Sequence, residues 1–452
     1  MSFSLSGIFS SKKDPVASQD IENVDISSSQ IELGSEQREL FDLLESTSGS
    51  IFITGKAGTG KSVLLEHFAE KTLKNAAIVA PTGVAALNVG GQTIHSFFKF
   101  APILHEVGSI NTVDSKTKEI LQALDSLIVD EVSMVSADLM EAMSEKLKLA
   151  RRSEEPFGGV QMIMFGDLYQ LPPVVSDGQA KRYLDDTFGG SYFFNSHAYK
   201  KSNVVIKELQ EVFRQKDEHF KSILNEIRSG LIKDSTLTTL NKRAKVPIPE
   251  SGFITLAGTN RAVNSVNNQK LSELPGETKI YEAAISGDIK ESSFPTEKSL
   301  KLKVGSQVML LKNDNKKPPR WVNGTLGVVT KLNEDGIKVK INGVEHTAFP
   351  AIWDKIKYEY EHETKTLKKM IVSSFQQIPV RLAWAVTIHK SQGQTYSEVA
   401  IDLSEGAFAH GQSYVALSRC TTLEGLYLES PLRREDVIVD PDVVEFMKGL
   451  VS

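Results

Sequence analysis

The sequence predicts an α/β fold: parallel sheets covered by helices on both faces, with a small β module set into the second half of the chain. Three observations carry that reading. Short apolar, often β-branched runs alternate with amphipathic stretches, the order that builds a parallel sheet from strand–helix–strand units. A glycine-rich turn from Gly55 to Ser62 joins the first such run to the next amphipathic stretch. Between residues 301 and 373 the pattern changes to short strands punctuated by Asn323-Gly324, Asp335-Gly336 and Asn342-Gly343, the dipeptides of tight hairpin turns.

The elements follow in order. Residues 1–34 are polar and serine-rich, without helical or strand period, and read as a flexible tail. Ser35 to Glu39 form a capped helix start whose apolar face is Leu40, Phe41, Leu43 and Leu44. Buried strands are expected at Ile51–Thr54, Ala76–Ala80, Ser126–Asp130, Gln161–Phe165 and Val204–Ile206. Helices are expected between them at Ser62–Leu73, Thr82–Val89 and Ala137–Leu149. A second set has helices at Glu218–Arg228 and Ala262–Leu271 and strands at Phe253–Leu256 and Val399–Leu403. Val308–Leu311, Gly327–Leu332 and Ile337–Ile341 read as strands of the β module.

Composition sets limits. The 452 residues are 40% hydrophobic and 24% charged, ordinary for a globular chain and enough for about two to four domains. No run of about 18 apolar residues occurs, so no membrane-spanning helix is expected. The single cysteine, Cys420, allows no disulfide framework and no multi-cysteine metal site, which suits a reducing compartment. The polar start lacks the features of a secretory leader, and acidic residues from Asp14 onward oppose a transit peptide, so a bacterial cytoplasm is expected. Net charge is −5, of which −3 falls before Ser35, leaving −2 for the rest. Nucleic acid would therefore have to be held by placed residues and not by bulk basic charge.

The strongest motif is Gly55-Lys56-Ala57-Gly58-Thr59-Gly60-Lys61-Ser62, a complete GxxxxGKS phosphate loop between strand and helix. Its glycines let backbone N–H groups converge on phosphates, Lys61 reaches the β- and γ-phosphates, and Ser62 ligates Mg²⁺. Leu127-Ile128-Val129-Asp130-Glu131 ends a strand in two adjacent carboxylates, costly unless a cation neutralises them. Asp130 suits the Mg²⁺ shell and Glu131 the base that orients and deprotonates water, so the pattern predicts hydrolysis of a nucleotide. Gly166-Asp167-Leu168-Tyr169-Gln170 ends another strand, where the Gln170 amide is placed to sense a γ-phosphate, although the same residues also make plain turns. Arg214 and Arg419 are candidate arginine fingers, with an ordinary ion-paired arginine as the alternative. Adenine is favoured over guanine: Asn241-Lys242-Arg243-Ala244 lacks the aspartate of a guanine-reading loop, and Gln37 is a candidate to read adenine's N6–N7 edge, with an ordinary surface glutamine as the alternative.

A further set suits a polyanion. Pro81-Thr82-Gly83, Thr93 with His95, Ser96 and Phe97, Thr259-Asn260, and His389-Lys390-Ser391 lie at strand ends or helix starts, where hydroxyls, amides and backbone N–H groups contact phosphate without adding charge. Phe97 and Phe98 are candidates to stack on bases, although paired phenylalanines are more often core. Lys312, Lys316, Lys317 and Arg320 beside Trp321 form a basic-aromatic patch.

Taken in order, these motifs resemble the Pif family of helicases, in the superfamily-one branch that moves 5′ to 3′ on single strands. The resemblance runs from about Ser35 to about Tyr427 and rests on the phosphate loop, Ala80 to Ala86, Val129 to Met134, and Pro156-Phe157-Gly158-Gly159 leading into Gly166–Pro173. It rests equally on Phe213-Arg214-Gln215, Ala383 to Gly393 and Tyr414 to Cys420. It implies two RecA-like P-loop NTPase domains clamping ATP and Mg²⁺, at 35–210 and at 211–300 with 374–452. A wedge is implied at about 97–120, and an SH3-like character for the 301–373 module. It implies the roles named above for Gln37, Lys61, Ser62, Asp130, Glu131, Gln170, Arg214 and Arg419, and Gly393 among the nucleotide-binding residues. Substrates implied are single-stranded and duplex or structured DNA, with roles in DNA repair, recombination and telomere maintenance. The expected state is a monomer that meets single-strand-binding or replication partners. Ser136 and Tyr199 depart from the family pattern, which commonly has a basic residue and a tryptophan there. Two other readings compete: a RecD-like relative or subunit, whose phosphate loop usually begins Gly-Gly-Pro, and a non-motor ATP-dependent switch, which would lack the Arg214 and His389–Gly393 motifs.

Overall fold

The computed structural model describes residues 33–175, 178–249, 252–316 and 319–449. The expected tail, up to Glu32, and Lys317 of the basic patch lie outside the described residues. The first sheet contains β1 (Ile51–Gly55), β2 (Ala76–Ala80), β3 (Gln92–Thr93), β4 (Ser126–Val129), β5 (Gln161–Phe165) and β6 (Val205–Leu209). All pair in parallel in the order β3-β2-β4-β5-β1-β6. Every residue of β1, β4 and β5 is buried, as continuous apolar runs require when helices cover both faces. The β6 edge instead alternates between exposed and half-buried positions until Leu209. Phe52, Val79, Leu127, Val129, Met162 and Met164 form its core with Met140, Met143 and Leu147 of the helix Ala137–Arg151.

The second parallel sheet begins with β7 (Ile254–Ala257), and a β-rich region then interrupts it. That region comprises β8 (Lys279–Glu282), β9 (Ala284–Ser286), β10 (Ser299–Leu302), β11 (Gln307–Leu310), β12 (Leu326–Leu332), β13 (Ile337–Ile341), β14 (Val344–Ala348), β15 (Ala351–Glu361), β16 (Thr366–Gln377) and β17 (Val380–Leu382). The chain returns through β18 (Ala385–Thr387), β19 (Val399–Asp402) and β20 (Leu426–Leu428), giving the order β18-β7-β19-β20. The β-rich region is thus wider than 301–373. Its five-stranded antiparallel sheet, β14-β13-β12-β11-β17, closes over Val308, Leu310, Trp321, Val329, Ile337 and Val339. Helices Ser115–Ala123, Gly178–Phe188, Gln412–Leu417 and Pro441–Lys448 add to those expected. No helix among the described residues is long and apolar enough to cross a membrane.

A set of contacts joins the inserted region to the first sheet and its loops. The β15–β16 hairpin carries a bulge at Lys355/Ile356 and reaches the β2 edge. There Tyr358 is buried among first-sheet side chains, and its Oη accepts the Ile78 N–H at 3.0 Å. Gln92 Nε2 donates to the Ile356 carbonyl at 2.6 Å, and Lys369 Nζ to the Gly90 carbonyl at 3.0 Å. β3 meets β2 only at Val79 and Ala80, whereas on the other side Ile78 is in register with Ile128 of β4, and the phenol takes the Ile78 N–H. Tyr358→Phe leaves that N–H buried and unpaired, which is expected to destabilise the protein by about 1–3 kcal/mol. Hydrogen exchange at the Ile78 amide measures it; unchanged protection there would reject the assignment.

Candidate active site and nucleic-acid interface

The phosphate loop runs from β1 into the helix Lys61–Lys71. Its glycines are demanded by both conformation and space. Gly58 and Gly60 have φ of 85° and 77°, and a Cβ on them would lie 2.4 Å from Arg214 Cβ and 2.4 Å from Gln37 Nε2. Two chain segments therefore press directly on the loop. Gln37, on the helix Ser35–Ser46, is buried, donates to the Gly60 carbonyl at 3.1 Å and accepts from Gly34 N at 3.0 Å. Thr59 Oγ1 donates to the Lys56 carbonyl at 3.0 Å, and the Ala57 N–H donates to Tyr414 Oη at 2.9 Å.

Beneath the loop lies a cluster of buried charge. Lys61 Nζ donates to the Gly55 and Lys56 carbonyls at 2.7 and 3.1 Å. Burial holds its pKa below the usual lysine value against the pull of Asp167 and Glu131. Asp130 follows the last residue of β4; burial first, and then Glu131, push its carboxyl up to about 7. Burial raises Glu131 likewise, opposed by Lys61 and Arg419. Glu131 occupies the left-handed region at φ 49°, a strained conformation for a glutamate of the kind that concentrates at functional sites. Burial works upward on Asp167 too, but Arg228, Lys61 and hydrogen bonds hold it below the usual range. Gln170 Nε2 donates to Asp167 Oδ2 at 3.2 Å, and Arg228 pairs with Asp167 Oδ1 at 3.3 Å while lying over the Tyr169 ring.

Mg²⁺ is the cation this motif implies, and the donors fit it. Asp130 is a half-buried carboxylate that has no lysine or arginine at ion-pair distance among the described residues, and Ser62 is exposed at the loop's end. Among the described residues no cluster of three or more His, Cys, Asp or Glu forms. Two protein donors, with phosphate and water completing the shell, are the usual arrangement for this ion.

The arginines meet at the seam between the sheets. Arg214 follows β6 and is tied to the phosphate loop through Phe213 N–H to Gly58 O at 2.9 Å. Its guanidinium reaches across to the Ser418 and Gly393 carbonyls at 3.2 and 3.4 Å. Arg419 is 1% exposed, and donates to the carbonyls of Val415 at 2.9 Å, Gln394 at 3.3 Å and Ser391 at 3.4 Å. Arg228 is missed in the sequence, and Tyr414, Gln215 and Phe213 stand there only within family motifs, without a role of their own. Gln215 Nε2 donates to the Ser418 and Cys420 carbonyls at 3.0 and 2.9 Å. Phe213 is half exposed, with its ring beside Gly34 and Gly60. An aromatic residue before Arg214 is the available signal for it, whereas the Tyr414 contact joins residues 357 positions apart and has none.

Beyond the seam, two adjoining clefts of about 370 and 270 Å³ share Leu87, Pro295 and Trp353. The first gathers Thr82, Glu131, His389 and Lys390; the second gathers Gly83, Thr93, His95 and Ser96. Pro81 is half-buried beside them. Thr82, Thr93 and Thr259 each accept a helix-start N–H, from Ala85, Ser96 and Ala262. That use of the oxygen leaves the hydroxyl proton available to an incoming acceptor. Asn260 is exposed at the start of the helix Asn260–Glu273, away from both clefts' linings. Two expectations are corrected. Phe97 is buried, with its ring edge-on to Phe98 and Tyr358, so it is a core side chain and not a stacking platform. Ser391 is fully buried, its hydroxyl donating to Ile388 O at 2.8 Å and its carbonyl accepting Arg419, so it faces the arginine and not the clefts. Arg320 of the basic patch is paired with Asp314 at 2.6 Å and stacked on Trp321. Tyr199, where a tryptophan is common, fills the core against Phe193 and Phe446.

The sequence matches the PIF1-like helicase family over residues 32–238 and the DNA helicase Pif1 2B domain over residues 288–332. ATP-dependent DNA helicase Pif1 of Bdellovibrio bacteriovorus is 34% identical over 439 residues, covering 93% of this chain and 92% of the relative. This chain belongs to the PIF1-like helicase family. Human ATP-dependent DNA helicase PIF1 is 34% identical over 388 residues, 83% of this chain, and the chain spans 58% of that relative's length. Bacteroides sp Pif1 in complex with ADP-AlF4 superposes with a TM-score of 0.85 at 35% identity, covering 93% of this chain and 97% of that one. The same protein bound to ssDNA gives 0.67 at the same identity and coverage. The two parallel sheets are accordingly the RecA-like pair of the PIF1-like helicases.

Three substitutions test the nucleotide site. Lys61→Ala, which removes the charge placed on phosphate, is expected to abolish ATP turnover. Glu131→Gln is expected to retain nucleotide binding but lose hydrolysis by about 100-fold or more, as removal of a water-activating base does. Turnover by Glu131→Gln within a few-fold of the parent would reject its role. Arg214→Ala is expected to lower kcat by about 100-fold or more while ATP affinity changes by only a few-fold, because a finger acts mainly in the transition state. Equal losses in kcat and affinity would mark Arg214 as a structural tie between the domains.

Proposed function

We propose that this protein is an ATP-driven DNA helicase that hydrolyses ATP between its two RecA-like domains and moves 5′ to 3′ on single-stranded DNA. The observation that carries the reading is the shared wall of the two sites. Glu131, the candidate hydrolytic base, lines the same cleft as Thr82, His389 and Lys390. In this reading Gln37 reads the adenine edge while Phe213 offers a face to its ring. Lys61 and the loop N–H groups hold the phosphates. Ser62 and Asp130 would hold Mg²⁺, which supplies charge neutralisation at the phosphates. Glu131 takes the proton of the attacking water. Gln170 is set by Asp167, and Arg214 approaches from the seam to meet charge that develops on the γ-phosphate.

The domain division at 35–210 and at 211–300 with 374–452, the wedge at about 97–120 and the SH3-like character of the insert belong to the same proposal. So do duplex or structured DNA as substrate, a monomeric resting state, replication or single-strand-binding partners, and a bacterial cytoplasm. It is supported by relatives named as ATP-dependent DNA helicases and by the ssDNA-bound Bacteroides structure.

The decisive assay is ATP hydrolysis with and without single-stranded DNA, followed by unwinding of duplexes carrying a 5′ or a 3′ overhang. Strong stimulation with unwinding only from the 5′ overhang is expected; stimulation without unwinding would leave a translocating or switching ATPase. Because Lys290, Lys355, Arg381 and Lys390 are the cations that line the clefts among neutral donors, the slope of log affinity against log salt for single strands is expected between about −2 and −4, at about 0.7 per neutralised phosphate. A slope beyond about −6 would require more neutralised phosphates than these side chains supply. His389→Ala is expected to reduce DNA stimulation several-fold while leaving basal turnover within about two-fold, an expectation checked by comparing the two rates.

A further inference from the structure

We propose that Arg381 is an additional phosphate anchor for single-stranded DNA, placed at the junction of the second parallel sheet and the β-rich insert. Arg381 lies in β17, opposite Met309 of β11, while its neighbours Val380 and Leu382 point into the insert's core. Strand alternation thus turns Arg381 to the other face. There it lines the 370 Å³ cleft with Met309, His389, Lys390 and Thr82.

The guanidinium is under-used for its surroundings. It carries five N–H donors, and its side-chain bond among the described residues is Nη2 to the Pro295 carbonyl at 2.5 Å. Its Nε is shut off from solvent and has no partner among the described residues. Among those residues no carboxylate lies within ion-pair distance of it, in contrast to Arg228 on Asp167 and Arg320 on Asp314. Burial pulls its pKa below the usual arginine value, with Tyr396 and Glu297 acting weakly the other way. Lys390 in the same cleft is likewise held below its ordinary value, by burial and then by the positive charge of Arg381. Two cations that repel each other in a partly desolvated cleft, with donors left over, match a polyanion and not an internal ion pair. The planar fork suits two oxygens of one phosphate, whereas Lys390 is a point charge at the rim.

The inference rests on the reading of these clefts as the DNA path, and the experiment separates the two. Single-strand affinity is measured across a salt series for the full chain, Arg381→Gln and Arg381→Lys. Arg381→Gln is expected to bind about 10-fold more weakly at low salt and to flatten the slope by about 0.7. Arg381→Lys should keep the slope but lose part of the affinity, and nucleotide affinity should be unchanged in both. An unchanged slope in Arg381→Gln would overturn the anchor and leave Arg381 as a support for the Pro295 carbonyl. Failure of the parent protein to bind single strands would overturn the DNA path itself. A second measurement on the parent protein needs no variant: arginine-specific dicarbonyl labelling read by mass spectrometry. Protection of Arg381 by a single strand, and not by nucleotide alone, is expected; labelling indifferent to the strand would reject the proposal.

Discussion

Burial of opposite charges at one seam is the constraint on which the rest of the structure depends. Asp167 and Arg419 are fully buried there, and Lys61, Asp130, Glu131 and Arg228 are half-buried around them. Each is expensive to bury alone, and removal of one partner would leave another uncompensated. The parallel sheets solve the problem geometrically. Strand ends and the turns after them face one side, so β1, β4 and β5 deliver the phosphate loop, the carboxylate pair and Asp167 to one place. The second sheet then closes the seam with arginines held largely by backbone carbonyls, which fix their positions without cancelling their charge.

Much of this was legible in the sequence, for physical reasons. Strands buried on both faces are uninterrupted apolar runs, so Ile51–Gly55 and Gln161–Phe165 stand out, and the motif residues sit in the turns that follow them. The long hairpin was not legible because its bulge at Lys355/Ile356 breaks the two-residue period. Trp353 and Tyr358, five residues apart, are both buried as a result. Arg214 follows β6 and reads as the start of the second domain, but the bond from Phe213 to Gly58 fastens its backbone to the phosphate loop. Phe97 and Ser391 carry the right chemistry for nucleic acid, yet only packing reveals that one ring and one hydroxyl face inward. Sequence pattern locates an element; it does not say which side of a short turn is covered.

Weak net charge and a polyanionic substrate are compatible because of how the threonine caps work. A capping hydroxyl accepts with its oxygen and still has a proton to give. Thr82 and Thr93 repeat this arrangement along the adjoining clefts, and Thr259 repeats it on the second sheet's side. Such donors add affinity without charge, which permits release as readily as capture. The proposed translocation needs both.

The turn from His389 to Gly393 is where the two sites become one mechanical unit. His389 and Lys390 line the cleft, while the carbonyls of Ser391 and Gly393 accept Arg419 and Arg214. Only a short single-turn helix, His389–Ser391, separates these functions, and Ser391 is pinned within it through Ile388. A strand that displaced His389 would therefore shift the acceptors of both arginines. Conversely, an arginine drawn toward developing charge on phosphate would release carbonyls on the same turn. Coupling of this kind is reciprocal by linkage.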